Sequence, residues 1–221
     1  MSYWEFLAQN APRYLDGTLV TIAQFFLSAT LAILVALTAG LMKMSRNAAV
    51  RWTAGTYIEI FRGTSLLIQL YWIFFVLPLF GLTLDKFYAG FVAVGLNLGA
   101  YGAELVRGGI QSVPKGQWEA AYAISMSPAK RMYRIILPQA FLNMLPPWGN
   151  LMIELLKATA LVSLISVTDL MFEAKQINGS TFLSAQAFGT ALIIYYIFAR
   201  LIVTPFMRWL ERVMARKMGR A

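Results

Sequence analysis

Glu154 and Lys157 stand three residues apart inside a segment that is otherwise apolar. At that spacing a helix puts both on one face, where carboxylate and ammonium can pair. An unpaired ionised group at membrane depth costs about 2.5–3.5 kcal/mol on insertion scales, so such residues turn towards a bundle interior or a wet cavity. The pair could bind a zwitterion, its carboxylate taking the cationic end and its ammonium the anionic end. A structural ion pair between helices is the alternative. An upstream stretch has the same pattern: Glu59, Arg62, Thr64 and Leu66 are echoed by Glu154, Lys157, Thr159 and Leu161. Transporters often carry repeats, with sites at the repeat interface. Thr64, Ser65, Gln69 and Asn97 could add hydrogen bonds along the same route, although each equally suits a helix–helix hydrogen bond in lipid. Glu104 and Arg107, one turn apart, read as structural, with Arg62 an alternative partner for Glu104.

The composition excludes most other chemistry. The 221 residues are 59% hydrophobic and 13% charged, with mean hydropathy +0.62. A soluble domain carries about 25% charged residues, so this chain is expected to live in a bilayer. It has no cysteine and no histidine. That removes disulfides, thiol chemistry, the commonest metal ligand and the commonest acid–base catalyst. No cofactor or metal is expected, and a hydrolytic or redox enzyme is disfavoured. The net charge of +9 reads as the positive-inside bias of a membrane protein rather than as a nucleic-acid site. Glu5, Arg13 and Asp16 precede the first long apolar run, which argues against a cleaved signal peptide and for a short polar N-terminal segment.

Five apolar runs are long enough, or nearly so, to cross a hydrocarbon core of about 20 helical residues. They cover residues 18–42, 63–84 (or, as one tilted helix, from around Arg51), 87–103, 138–168 and 182–207. Gly95 and Gly99 in the third form a GxxxG, which allows close helix approach. Pro146 and Pro147 are expected to interrupt the fourth, since neither donates a helix hydrogen bond. Residues 169–181 read as a polar loop with a turn at Asn178 and Gly179. The basic tail could extend the last helix into water. Charge sets the orientation. Thirteen basic residues fall on one side: Lys43, Arg46 and Arg51; Arg107, Lys115, Lys130, Arg131 and Arg134; Arg208, Arg212, Arg216, Lys217 and Arg220. Three, Arg13, Lys86 and Lys175, fall on the other. The first side is therefore expected to be cytoplasmic, with the N-terminus outside.

Residues 111–140 are a polar, basic stretch between two spans. Pro114 and Pro128 suit first helical positions, where a missing N–H costs nothing, and Ser127 suits an N-cap. Two short helices follow, over 114–124 and 128–136, with a turn at Ser125 and a stop at Pro138. Glu119 lies in the first helix beside Ala120 and Ala121. Small residues let a partner surface approach, and the carboxylate offers one directional anchor for an arginine or lysine. An ordinary hairpin with a solvated Glu is equally compatible with these residues.

Here the chain resembles a known family. Glu119, Ala120, Ala121, Ile135, Leu137 and Pro138 are similar to the EAA motif of bacterial ABC-importer permeases. The flanking stretches, residues 61–72 and 99–121, resemble its polar amino acid branch, the histidine, glutamine and arginine type. Residues 61–72 with the short first loop also resemble permeases for ectoine and hydroxyectoine. The likeness covers residues 15–210. It implies an all-α membrane protein of five transmembrane helices with the type I ABC-importer permease fold, one domain over 1–221, in the bacterial inner membrane. It implies a dimer with an identical or related permease and two cytoplasmic ATPase subunits, each accepting one EAA hairpin in a cleft. It further implies a solute-binding protein outside and a small zwitterionic solute. Glu119 would be the anchor. The chain has no P-loop of its own. Two positions depart from the pattern: Ser125 stands where the motif has glycine, and Ser65 where the branch usually has proline, which removes the proline signal for a kink in helix two. The rival is an ion-coupled secondary transporter with Glu154 as proton carrier, but five helices make a small body for two inverted halves.

Overall fold

The computed structural model describes residues 2–217. The Arg220 end of the tail and the Lys217 side chain lie outside the described residues. Every regular element among those residues is helical. Helix α1, Tyr3–Lys43, starts on a capping box: Ser2 and Glu5 satisfy each other's backbone N–H groups. This corrects the expected separate polar N-terminal segment, which is the first part of the same helix as the first span. That extended end packs Phe6 and Tyr14 against Leu170, Ala174, Ile177, Ala187 and Ala191. Burial against residues 170–191 continues the helix past its apolar run, and Arg13 adds an ion pair to Glu173 at 2.9 Å.

The second span is not one tilted helix. α2, Ala48–Gly63, stops at Thr64 and Ser65, both extended, and α3, Leu66–Tyr71, leaves at 105° to it. A π turn, Trp72–Val76, and a 3-10 turn, Leu77–Phe80, finish the run. The bend thus exists without the proline. α4, Lys86–Gln111, carries the third span. α5, Lys115–Ala123, and α6, Pro128–Arg131, form the hairpin. A π turn, Met132–Ile136, leads from α6 straight into α7, Leu137–Thr159, which ends in a 3-10 turn, Ala160–Ile165. Pro138 is therefore near the start of α7 rather than a stop, and Pro114 is a cap residue rather than a first helical one. Pro146 and Pro147 lie inside α7 without interrupting it. Proline holds φ near the helical value, so two prolines forfeit hydrogen bonds but not the dihedral path, and transmembrane helices tolerate this where neighbours compensate.

Residues 170–181 are helix α8, Leu170–Thr181, not a loop. Asp169 caps it by accepting the Phe172 N–H at 2.9 Å. α9, Ser184–Ile197, a π turn, Phe198–Val203, and α10, Thr204–Lys217, make the last run. Among the described residues four stretches are long and apolar enough to cross a membrane, and the bent α2–α3 pair makes a fifth if it counts as one broken span.

The centre of the molecule is the α1–α4 contact. Ala32 and Ala36 of α1 and Ala93, Ala100 and Ala103 of α4 are fully buried. The expected GxxxG does its work here. A Cβ on Gly99 would lie 2.9 Å from Val35 Cγ1, and one on Gly102 2.7 Å from Ala36 Cβ. Across the seam Gln24 donates to the Phe87 carbonyl at 2.9 Å, the kind of interhelical bond that joins helices in lipid. Gly99→Leu is expected to destabilise the fold by about 1–3 kcal/mol through overpacking. A lowered thermal midpoint in detergent checks this; an unchanged midpoint would mean that α1 and α4 are not tightly docked.

Candidate functional site

The hairpin is held by local chemistry. α5 ends in a Schellman motif: Ser125 N–H donates to the Tyr122 carbonyl at 2.8 Å and Met126 N–H to the Ala121 carbonyl at 3.1 Å. That motif needs a left-handed residue, and Ser125 supplies it at φ 52°, where glycine would avoid a cost of about 1 kcal/mol. Arg131, nearly buried, lies over the Tyr122 ring at 3.7 Å and near Trp118 at 5.9 Å, so α6 is stacked on α5. Trp118 and the buried Ile136 pack with Ala36, Val106, Ile110 and Met144, joining the hairpin to the body. Ala121 faces inward and is fully buried, whereas Glu119, Ala120 and Ser125 are exposed. Glu119 makes no ion pair among the described residues. It projects from a rigid base with its carboxylate free for an outside donor.

The α2–α3 break organises a second group. Ending α2 frees its last carbonyls. The Phe61 carbonyl accepts from both Gln69 and Asn97, each at 2.9 Å. Asn97 also donates to Gln69 Oε1 at 3.0 Å, Gln69 to Thr64 Oγ1 at 2.7 Å, and Thr64 to the Ile60 carbonyl at 2.8 Å. The structure therefore brings Thr64, Gln69 and Asn97 together around the freed backbone, where they replace the hydrogen bonds a proline kink would also have lost. Ser65 is exposed at the break. Arg62 lies over the Tyr101 ring at 5.3 Å and reaches Glu104 only at 4.0 Å.

Glu104 is bound more tightly from elsewhere, by Lys43 at 2.7 Å and Arg107 at 2.6 Å. The Glu104–Arg107 pair is present as expected, and Lys43 is a partner that the sequence reading missed. The i,i+3 spacing flags Arg107, but nothing in sequence brings α1 to α4.

Glu154 and Lys157 form the pair expected from their spacing, with Nζ to Oε1 at 2.6 Å. Their side chains are 62% and 63% exposed on the chain surface, while Thr159 is fully buried and donates to the Leu156 carbonyl at 2.7 Å. No hydrogen bond or ion pair among the described residues links this pair to Thr64, Gln69 or Asn97. The echoed segments do share a local event: α2 ends four residues after Glu59 and α7 five after Glu154.

Asp169 is a further polar residue that the sequence reading placed only in a loop. It is fully buried and accepts from the Phe172 N–H and, at 3.3 Å, from the Tyr195 hydroxyl. Burial pushes its carboxyl from an ordinary 3.8 up to about 6, against the hydrogen bonds and Lys175, which pull it down. The folded chain thus holds this proton more tightly than the unfolded one. Its contribution is favourable below about pH 4 and is lost as pH rises towards 6. Thermal midpoints at pH 4.5 and 7.5 are expected to show Asp169→Asn gaining relative to the native chain at the higher pH; a pH-independent difference would contradict this.

An exposed charged pair on an otherwise apolar helix and an exposed, braced hairpin belong to a chain that is similar to known transport proteins. The model of the family described as "Binding-protein-dependent transport system inner membrane component" matches residues 10–216. A probable amino-acid ABC transporter permease, y4tF, of Sinorhizobium fredii is 45% identical over 186 residues, 81% of this chain and 78% of its own. The L-cystine transport system permease TcyB of Bacillus subtilis is 38% identical over 220 residues, 98% and 92% of the two chains. A crystal structure of an amino acid ABC transporter with histidines superposes with TM-score 0.89 at 36% identity, covering 96% of this chain and 98% of that one. The MetNI methionine ABC transporter shares the fold, with TM-score 0.81 at 21% identity over 93% of this chain and 98% of that one. The chain belongs to the family of inner-membrane components of binding-protein-dependent transport systems.

Proposed function

We propose that the chain is the permease of an ATP-driven importer for a polar amino acid or a similar zwitterion, and that residues 111–138 couple it to the ATPase. The observation that carries this reading is the hairpin. Glu119 stands exposed and unpaired on a helix whose other face is locked to the body through Ala121, Trp118 and Arg131. A push on that carboxylate would be passed into α7 through the continuous α6–α7 path rather than lost in a loose loop. Two such chains, identical or related, would each engage one subunit of an ATPase dimer. The excess of basic residues supports a cytoplasmic hairpin and α10 end and an N-terminus outside, where a solute-binding protein would deliver its cargo. α8 and the start of α1 would lie on that outer side.

The relatives named for amino acids and for L-cystine support an amino acid as solute. Glu154 and Lys157, with Arg62, Thr64, Ser65, Gln69, Asn97 and Thr159 around the break and the helix end, are the proposed route. The charged pair supplies matched partners for an ammonium and a carboxylate. Gln69 and Asn97 act there by fixing the break that opens the wall. Proteoliposomes holding this chain, with and without its ATPase subunits, test the reading. Uptake from the binding protein is expected only with the ATPase present and ATP on its side. Uptake by this chain alone, driven by a proton gradient, would overturn it in favour of a secondary transporter.

A further inference from the structure

The last span, Ser184–Arg216, contains one charge well inside its length. Arg200 lies on the π turn Phe198–Val203, eight residues and so about 12 Å along the helix from Arg208, where the basic tail begins. π turns inside α-helices occur frequently at functional sites. Thr204 steadies this one by donating to the Ala199 carbonyl at 2.8 Å. Arg200 makes no ion pair among the described residues. It lines a crevice of about 330 Å³ together with Lys157, Tyr195, Tyr196 and Thr204. The crevice therefore joins the last span to the Glu154–Lys157 face of α7. Lys157 is already neutralised by Glu154 at 2.6 Å, so the three groups together carry one net positive charge. A guanidinium exposed to hydrocarbon is costly, and Arg200 shares its crevice with Lys157 and two tyrosines.

We propose that Arg200 is a third charged group of the solute route, one that binds a carboxylate of the passing solute and selects its charge class: neutral and acidic amino acids in preference to basic ones. The inference rests on the reading of Glu154 and Lys157 as route residues. A neutral amino acid can place its carboxylate on Arg200, which has no competing acid, and its ammonium on Glu154. An acidic one offers a second carboxylate to Lys157. A basic one brings an extra cation to a face that is already positive.

The test is equilibrium binding of radiolabelled glutamine, glutamate and arginine to the complete permease–ATPase complex in nanodiscs. The native complex is expected to bind glutamine and glutamate more tightly than arginine. Arg200→Gln is expected to weaken glutamine and glutamate binding tenfold or more, the size of a charge-assisted hydrogen bond, and to leave arginine unchanged or tighter. Arg200→Lys should restore most of the loss. Glu154→Gln is the parallel arm. If Glu154→Gln weakens binding and Arg200→Gln does not, the Arg200 proposal fails while the route reading stands. If both are silent in an intact complex, the route reading fails with it. A native complex that prefers arginine, or that binds none of the three, overturns the charge-class assignment. So does an Arg200→Gln variant that weakens all three alike or loses subunits, which would make Arg200 a packing residue.

Discussion

Glu154→Gln is expected to cut solute uptake at least tenfold in a complex that still assembles. The carboxylate and the Lys157 ammonium already hold each other at 2.6 Å, and both side chains are more than half exposed on the chain. An exposed i,i+3 pair adds little to folding, of the order of 0–1 kcal/mol. Its removal should therefore leave thermal stability and subunit content nearly unchanged. Transport is different, because a solute ammonium that loses a charged acceptor loses a bond worth about 1.5–3 kcal/mol, or a factor of ten to a hundred and fifty in binding. Glutamine keeps the shape and one acceptor oxygen, while the charge and the second acceptor are exchanged for a neutral amide donor. Uptake in proteoliposomes beside size-exclusion of the same preparation separates the two roles. Equal loss of assembly and transport would show a structural pair between subunits.

The largest effect on stability is expected at Glu104. Its carboxylate, 17% exposed, lies at 2.7 Å from Lys43, 2.6 Å from Arg107 and 4.0 Å from Arg62. It joins α1, α2 and α4 at one end of the bundle. Glu104→Ala leaves three cations facing one another without an acid. Removing one partner of a buried pair costs about 3–5 kcal/mol, and the partial exposure of the arginines and lysine brings this down to about 2–3 kcal/mol. For a chain of this size that is a fall of about 5–10 °C in thermal midpoint. Restoring one net charge with Lys43→Met in the Glu104→Ala background should recover part of it. A midpoint unmoved by Glu104→Ala would mean that solvent screens the whole cluster.

What could be read from sequence followed from features with local causes. Long uncharged runs marked the spans, i,i+3 spacing marked the Glu154–Lys157 and Glu104–Arg107 pairs, and Gly95 and Gly99 marked a face of α4 that admits a close neighbour, without naming α1 as that neighbour. Ser127 before Pro128 marked the start of α6. The departures from expectation have local causes in some places and tertiary causes in others. Proline lacks the N–H a helix needs, yet at positions 138, 146 and 147 its fixed φ suits a helix and α7 runs through all three. The cap signal at Asp169, an acid followed by Leu170 and later Glu173, was present but was outweighed by the polar composition of residues 169–181. The bend at Thr64 and Ser65 has no proline to announce it; it is held by Gln69 and Asn97, the latter 36 residues from the carbonyl it binds. Lys43 at Glu104 and Arg131 on Tyr122 and Trp118 depend on tertiary approach, which spacing along the chain does not encode.

On the proposed reading, the hairpin is the point where ATP hydrolysis acts on this chain. The most direct measurement is co-purification of the ATPase with the native chain and with Glu119→Arg, followed by ATPase activity in liposomes with and without the solute-loaded binding protein. Glu119 is exposed and makes no ion pair among the described residues, so reversing its charge should not disturb the fold. The Glu119→Arg complex is expected to lose its ATPase, or to keep it without responding to the loaded binding protein. A Glu119→Arg chain that retains its ATPase and its full stimulation would contradict the claim, and the hairpin would then be an ordinary loop.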